Sequence, residues 1–475
     1  MRLDPTRILL KLRATYWFIP SCMVVLAAAL ALLMPWLDSR YGIDPSGSFG
    51  WIGQTQTDGA RAVLGAIAGS IIGVAGTTFS ITMVAVSFAS ANFGPRLIAN
   101  FMRDRGNQIT LGTFIATFVY CLLVLRRVHG AASDDGSITY EAFVPHLSVI
   151  VALLLALASV GVLIYFIHHV PETINIDRLV AQIGRELQRS VVELFPEADA
   201  VDQGTPSHDA PQGVPDWDER IAGRTRHPVA ARVAGFLQRV ELDRLAELAD
   251  EHALLVRVQY RPGDFVVQGA ILFEIWSPDD SGRPAADARD ALPLDGLHAC
   301  FETGYQRTAD QDCLFLADQL VEVIGRAMSP GINDPFTATT CLSWLEAALI
   351  EFAERDAVPE QPSRATPVRV HPITFERMMS VAFDQTRQYL CADRDVTLHA
   401  LTSLTGIGTR TTRAGHRDAV RRRLDELLAA SESALAADVG GRDVARRHAE
   451  AVRLLDDPSA RESRRDDPGW FGGSG

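Results

Sequence analysis

The chain has 475 residues, long enough for two or three domains, and carries a formal net charge of −13. That charge excludes nucleic acid as an expected partner, because a binder needs a basic face to release phosphate counterions. Hydrophobic residues make up 47% of the chain and mean hydropathy is +0.08. The excess lies almost wholly before residue 170, and the rest of the chain is polar and Arg/Asp-rich.

Lys11 is the only lysine. The arginine bias points to a GC-rich bacterial genome, and beyond residue 11 it excludes Walker A, Schiff-base, kinase and lipoyl- or biotinyl-lysine chemistry. Six cysteines (Cys22, Cys121, Cys300, Cys313, Cys341, Cys391) are scattered without a CxxC pair. Neither a disulfide framework nor a structural zinc is expected, and the polar part suits reducing cytoplasm.

Four stretches meet or approach the roughly 20 apolar residues needed to cross a bilayer core of about 30 Å. They are 16–37, 62–93, 109–125 and 147–167. The first is longer than a signal-peptide h-region and lacks a small-x-small cleavage site, so it is expected to be retained. Arg2, Arg7, Lys11 and Arg13 precede the first span, and Arg96, Arg103 and Arg105 lie between the second and third. The positive-inside rule therefore places both termini in the cytoplasm, with Arg126 and Arg127 dissenting at the outer interface. No Asp, Glu, Lys or Arg lies within any of the four stretches, which speaks against ion-coupled transport.

The second span is the most informative. On a helical wheel one face collects Gly69, Gly73, Gly76, Thr77, Ser80, Val84, Ser87, Ala91 and Gly94, bordered by Met83 and Phe88. This face has two readings. Gly65, Gly69 and Gly73 form overlapping GxxxG pairs that let helix backbones approach closely. Alternatively the face lines an axial pore in a symmetric oligomer, with Thr77, Ser80 and Ser87 offering hydroxyls and Val84 forming an apolar constriction. The two coexist if the Gly half packs and the Ser half lines. Thr78 and Thr82 lie off this face, where their hydroxyls can bond the carbonyl one turn back. Gly94-Pro95 is expected to end the helix, leaving Arg96, Arg103 and Arg105 as either an anion-favouring inner mouth or positive-inside anchors.

After the fourth span, His168-His169 begins a helix that leaves the membrane. The pair suits a metal, a pH sensor or, since vicinal side chains diverge on a helix, an interfacial role. A Pro/Gly/Asp-rich linker is expected over 196–227. A strand-like stretch then contains RPGDFVVQG, residues 261–269, with turn signals. The pattern resembles the barrel-sandwich hairpins of lipoyl and biotinyl domains and of efflux-pump adaptors. Without the modifiable lysine it leaves an interaction or assembly module. The chain is helical from about residue 308. Between two of its helices, Arg307, Ser329, Asn333 and Asp334 are either a ligand or metal site or a helix–turn–helix corner, with Asp334 capping and Pro335 in first helical position. The tail from about residue 456 is polar. No GxSxG, HExxH, Walker A or post-strand GxGxxG is present, and no enzyme activity is expected. GIGTR, at Gly406, is too short for a phosphate loop.

With TTFSITMVAVSFASANFGPR, SPGINDPFTA and RPGDFVVQG together, the chain resembles the bacterial predicted membrane proteins grouped as domain of unknown function 2254, over residues from about 10 to about 430. The resemblance implies an inner-membrane protein with an N-terminal membrane domain and a cytoplasmic domain. It supplies no catalytic or ligand residue.

The expected fold class is an integral membrane α-helical domain of four transmembrane helices, followed by a cytoplasmic α+β region with a small β-module and a helical subdomain. The expected divisions are 1–170, a membrane-exit helix 171–195, the linker 196–227, a β-module 228–300, a helical subdomain 301–435 and a polar tail 436–475. Expected partners are the lipid bilayer, further copies of the chain and inorganic ions, with no cofactor. The functional expectation is a channel-like protein with the second span around a central path. The alternative is a non-conducting scaffold whose small face packs within one subunit and whose cytoplasmic domain binds a protein.

Overall fold

The computed structural model describes residues 17–41, 56–93, 104–129, 132–133, 139–140, 144–195, 217–278, 292–355, 366–411, 413–435, 439–457 and 459. The chain divides into two compact units, Met1–Leu179 and Val180–Gly475.

The first unit holds four long apolar helices, α1 (Phe18–Tyr41), α2 (Thr57–Phe93), α3 (Arg105–Leu125) and α4 (His146–Ile174). Each is long and apolar enough to cross a membrane. A minimal antiparallel pair, β1 (Ala132–Ser133) and β2 (Thr139–Tyr140), precedes α4. The shortest of the four, α3, packs against all three others. Half of its spanning window is buried, against 22% for each neighbour. Phe114, Tyr120, Cys121 and Val124 form its buried stripe, and α2 contributes Ala60, Leu64, Ala68, Ile71 and Ala75 to the same interior.

Because lipid offers no hydrogen bonds, polar groups inside the bundle pair with one another. The hydroxyls of Thr117 on α3 and Ser159 on α4 lie 3.0 Å apart. Near the end of α1, the buried Asp38 accepts from the Leu147 and Ser148 amides at 2.8 and 3.1 Å and from Ser148 Oγ at 2.7 Å. A carboxylate on the unsatisfied N–H groups of α4 meets the positive end of its dipole and locks α1 to α4. Tyr120 Oη donates to the Ser148 carbonyl at 3.1 Å on the same corner.

The helix expected to run unbroken out of the fourth span is interrupted. Asn175 is extended (φ −64°, ψ 122°), and its Oδ1 accepts from the Asp177 amide at 2.8 Å. It thereby caps a new helix, α5 (Ile176–Leu194). In the second unit α5 buries Val180, Ile183, Leu187 and Val191 on one face, and its Gly184 lies so close to the Trp344 ring that a Cβ would clash.

Of the expected linker, residues 196–216 lie outside the described residues. Residues 217–227 form the short helix α6 (Trp217–Ile221) and open strand β3 (Thr225–Ala230). Next come β4 (Gly235–Val240), α7 (Leu242–Glu251), β5 (Leu255–Val258), β6 (Phe265–Val266), β7 (Ile271–Ser277), α8 (Leu294–His298) and β8 (Phe301–Gly304). The helical part comprises α9 (Cys313–Ala327), α10 (Pro335–Glu354), strand β9 (Val368–Arg369), α11 (Phe375–Met379) running into a π-helical turn (Ser380–Asp384), α12 (Arg387–Leu390), α13 (Arg394–Arg410), α14 (Ala414–Ala434) and α15 (Val439–Asp456).

The strands form two small sheets, β3-β7-β5-β9 and β6-β4-β8. The RPGDFVVQG stretch is therefore not one hairpin. β5 and β7 pair antiparallel, while β6 between them crosses to β4 in the other sheet. β8 and β9 come from the stretch expected to be wholly helical, β9 joining β5 in parallel. Val256, Val258, Phe273, Ile275 and Leu237 fill the core between sheets, α7 and α8.

Among the helices α13 is the hub, touching α10, α14 and α15. The GIGTR stretch lies within it, and a Cβ on Gly408 would sit 2.5 Å from Leu455 Cδ2 of α15. The expected polar tail is corrected accordingly. Residues 439–456 are an amphipathic helix that buries Val444, Ala451, Leu454 and Leu455.

Candidate functional site

The α2 stripe is the feature that the bundle leaves open. A Cβ built on Gly65, Gly69, Gly73 or Gly76 would meet no atom of the described residues within 4 Å. Farther along the same face Thr77, Ser80 and Ser87 are exposed, and Val84 is 68% exposed. Ala91 lies in the same helix. Met83 and Phe88 at its borders are exposed as well. The seam within the subunit runs through Ala60, Leu64, Ala68, Ile71 and Ala75 instead. Since 100° separates consecutive residues, Gly69 points away from the direction in which Ala68 is buried. Among the described residues, no neighbour within the subunit covers the Gly positions of this face.

Thr77 Oγ donates to the Gly73 carbonyl at 2.9 Å, so only the oxygen's remaining acceptor capacity points off the helix. Thr82 makes the expected back-bond, to the Thr78 carbonyl at 2.7 Å.

Of the expected inner-mouth residues, Arg105 is the exposed first residue of α3. Arg96 and Arg103, with Gly94, lie outside the described residues. Asp104 caps α3 by accepting from the Asn107 amide at 2.9 Å. Its Oδ1 also lies 3.0 Å from His169 Nε2, and the His169 ring stacks on Tyr165 at 5.0 Å. Gly106 makes room for both rings, since a Cβ there would come within 2.7 Å of Tyr165 Oη and 2.9 Å of His169 Nε2. Of the histidine pair, His169 ties α4 to the start of α3.

The expected cytoplasmic junction separates into two places. Asp334 caps α10, accepting from the Thr337 amide at 3.1 Å and its hydroxyl at 2.6 Å. Pro335 takes the first helical position, Ser329 Oγ donates to the Arg326 carbonyl at 2.6 Å, and Asn333 adopts a left-handed φ of +49°. Arg307 instead forks Asp312 and Asp318, at 2.8 and 2.6 Å, with its guanidinium 5.1 Å from the Phe315 ring centroid. Asp312 caps α9 through the Phe315 amide at 3.1 Å. Gly263, at φ +98°, brings the Pro-Gly-Asp turn against this carboxylate where a side chain would clash. These residues therefore serve as helix caps and a corner clamp. Among the described residues no group of three or more His, Cys, Asp or Glu could hold a metal ion.

Residue-by-residue reasoning missed three features. Only the fold shows Asp38 and Asp104 each capping a helix entering the bundle. A third is the pairing of Ser343 Oγ with His399 Nε2 at 3.0 Å between α10 and α13. Burial pulls the His399 imidazole below its usual range, disfavouring its charged form.

Comparison with known proteins agrees with this architecture. Uncharacterized proteins of Mycobacterium bovis and Mycobacterium tuberculosis are 32% identical to the chain over 306 residues, covering 64% of this chain and 54% of each relative. The chain thus spans about half the length of the curated relatives it matches. No solved structure matches. The model of the family described as predicted membrane protein, domain of unknown function 2254, matches residues 13–406. Four apolar helices followed by a mixed helical and small-sheet region therefore belong to a member of that family of predicted membrane proteins.

Proposed function

We propose that the protein is a homo-oligomer in the bacterial inner membrane, with four transmembrane helices, both termini cytoplasmic, and α2 of each subunit facing a shared central ion path. The observation that carries this reading is the uncovered small face of α2. A stripe of glycines gives lipid chains little to pack against, and its usual use is close approach to another helix. Among the described residues the subunit's own helices do not supply that neighbour, and a second copy would. The Gly half then forms the subunit seam, and the Ser80–Ser87 half, with Val84 at its centre, faces the path. An apolar ring at Val84 would gate it by dewetting.

The test is ion flux through the purified protein in liposomes, anions and cations compared, with Val84→Ser alongside. Higher flux in the variant is the expected result. Silence in both, from a well-folded oligomer, would overturn the path and leave α2 as an assembly seam in a membrane-anchored scaffold.

A further inference from the structure

The second unit contains a cavity of about 260 Å³ where α10 ends, the segment before α11 turns in and α14 begins. Its polar lining sets two arginines, Arg355 and Arg413, against one acid, Glu376, in a chain of net charge −13. Arg355 is 9% exposed and held in place: it grips Glu351 Oε1 through Nε and NH2 at 2.9 and 2.7 Å and donates NH1 to the Phe195 carbonyl at 3.1 Å. Arg413 and His416 lie at the start of α14.

The acidic residue in the lining, Glu376, already faces two arginines, with Arg422 at 3.0 Å and Arg423 at 2.9 Å. Burial alone would raise its carboxyl, but Arg423 and Arg422 outweigh that and hold it below the usual carboxylate range. Its charge is thus offset from outside the cavity.

The apolar part of the lining is aromatic. Phe352 and Phe375 lie 6.2 Å apart, and the His416 ring stacks on Phe375 at 4.1 Å. Gly415 also lines the space, and a Cβ there would meet no atom of the described residues within 4 Å. Ligand pockets combine this kind of apolar wall with a few placed polar groups, and the volume falls just short of their usual range of about 300–1,000 Å³.

We propose that this cavity binds a small organic anion carrying one flat ring, its charge against Arg355 and Arg413 and its ring against Phe352, Phe375 and His416. The proposal is independent of the path through the membrane. It gives the second unit a ligand of its own.

Calorimetric titration of the full chain in detergent with phenyl phosphate tests it, with inorganic phosphate and benzyl alcohol as the charge-only and ring-only probes. Saturable one-to-one binding of phenyl phosphate, about tenfold or more tighter than either comparator, is expected. Arg413→Gln should weaken it about tenfold. Gly415→Phe should abolish it by filling the space while leaving thermal unfolding unchanged. Should Gly415→Phe lower the unfolding temperature, Gly415→Leu takes its place with the same expected loss. Absent binding, equal affinity for inorganic phosphate, or binding undiminished in both Arg413→Gln and the filled variant would overturn the proposal.

Discussion

The helices α2 and α3 differ in what surrounds them, and that difference explains their compositions. α3 is enclosed by the other three helices and buries Asn107, Gln108, Thr110 and Thr117 together with Phe114 and Tyr120. α2 is uncharged from Ala62 to Phe93, yet exposes its Gly/Ser face along with Ile81, Val84 and Phe88. Polar side chains are tolerated at the centre of a bundle, where neighbouring helices supply partners, and small ones are informative at its edge. A glycine therefore has opposite meanings in the two helices. Gly112 of α3 is in tight contact with α1, with Met23 Sδ 2.5 Å and Pro20 Cα 3.2 Å from where its Cβ would sit. A Cβ on Gly73 of α2 would meet no atom of the described residues within 4 Å.

Substitutions can break this contrast. Gly112→Leu should have the largest effect, because the Pro20 backbone cannot yield as a side chain can. A loss of about 3 kcal/mol or more is expected, read as a collapse of thermal stability in detergent. Asp38→Ala should rank second, removing three accepted hydrogen bonds from the start of α4. It should cost about 2 kcal/mol, measured by the same melt. Thr117→Val breaks the hydroxyl pair with Ser159 and should cost only about 0.6 kcal/mol, the typical worth of such bonds between membrane helices. Gly73→Leu should leave the melting of the isolated subunit unchanged while lowering the oligomeric mass measured by light scattering. A destabilised subunit would show instead that Gly73 packs within its own bundle, and the contrast with Gly112 would fail.

Much of the fold was legible in sequence because bilayer thickness imposes a length on apolar runs that needs no tertiary context. Tyr16–Leu37, Ala62–Phe93, Ile109–Leu125 and Leu147–Ile167 all lie in or across the four observed helices, which extend a few residues beyond most of these limits. Asp334-Pro335 likewise announced the start of α10, since capping and the fixed φ of proline act within one turn. Long-range pairings were not legible. Nothing local to Arg307 distinguishes Asn333 and Asp334 from Asp312 and Asp318 as partners, and the latter hold it. β9 is two residues long and joins β5 more than a hundred positions away. α15 reads as polar tail because its arginines mask the apolar face that meets α13 and α14.

The small face of α2 shows the division most clearly. Helical periodicity alone determined that Gly69, Gly73, Gly76, Ser80, Val84 and Ser87 share one side, because 3.6 residues per turn is a property of the backbone. Which side of α2 the bundle would cover was decided by packing. The third helix could approach along the row of Ala60, Leu64 and Ala68 or along the row of glycines, and both are smooth enough to admit it. Burial of Leu64, Ile71 and Phe114 favoured the alanine row, since larger side chains gain more dispersion contact in a close-packed interior. That choice left the glycine row facing outward.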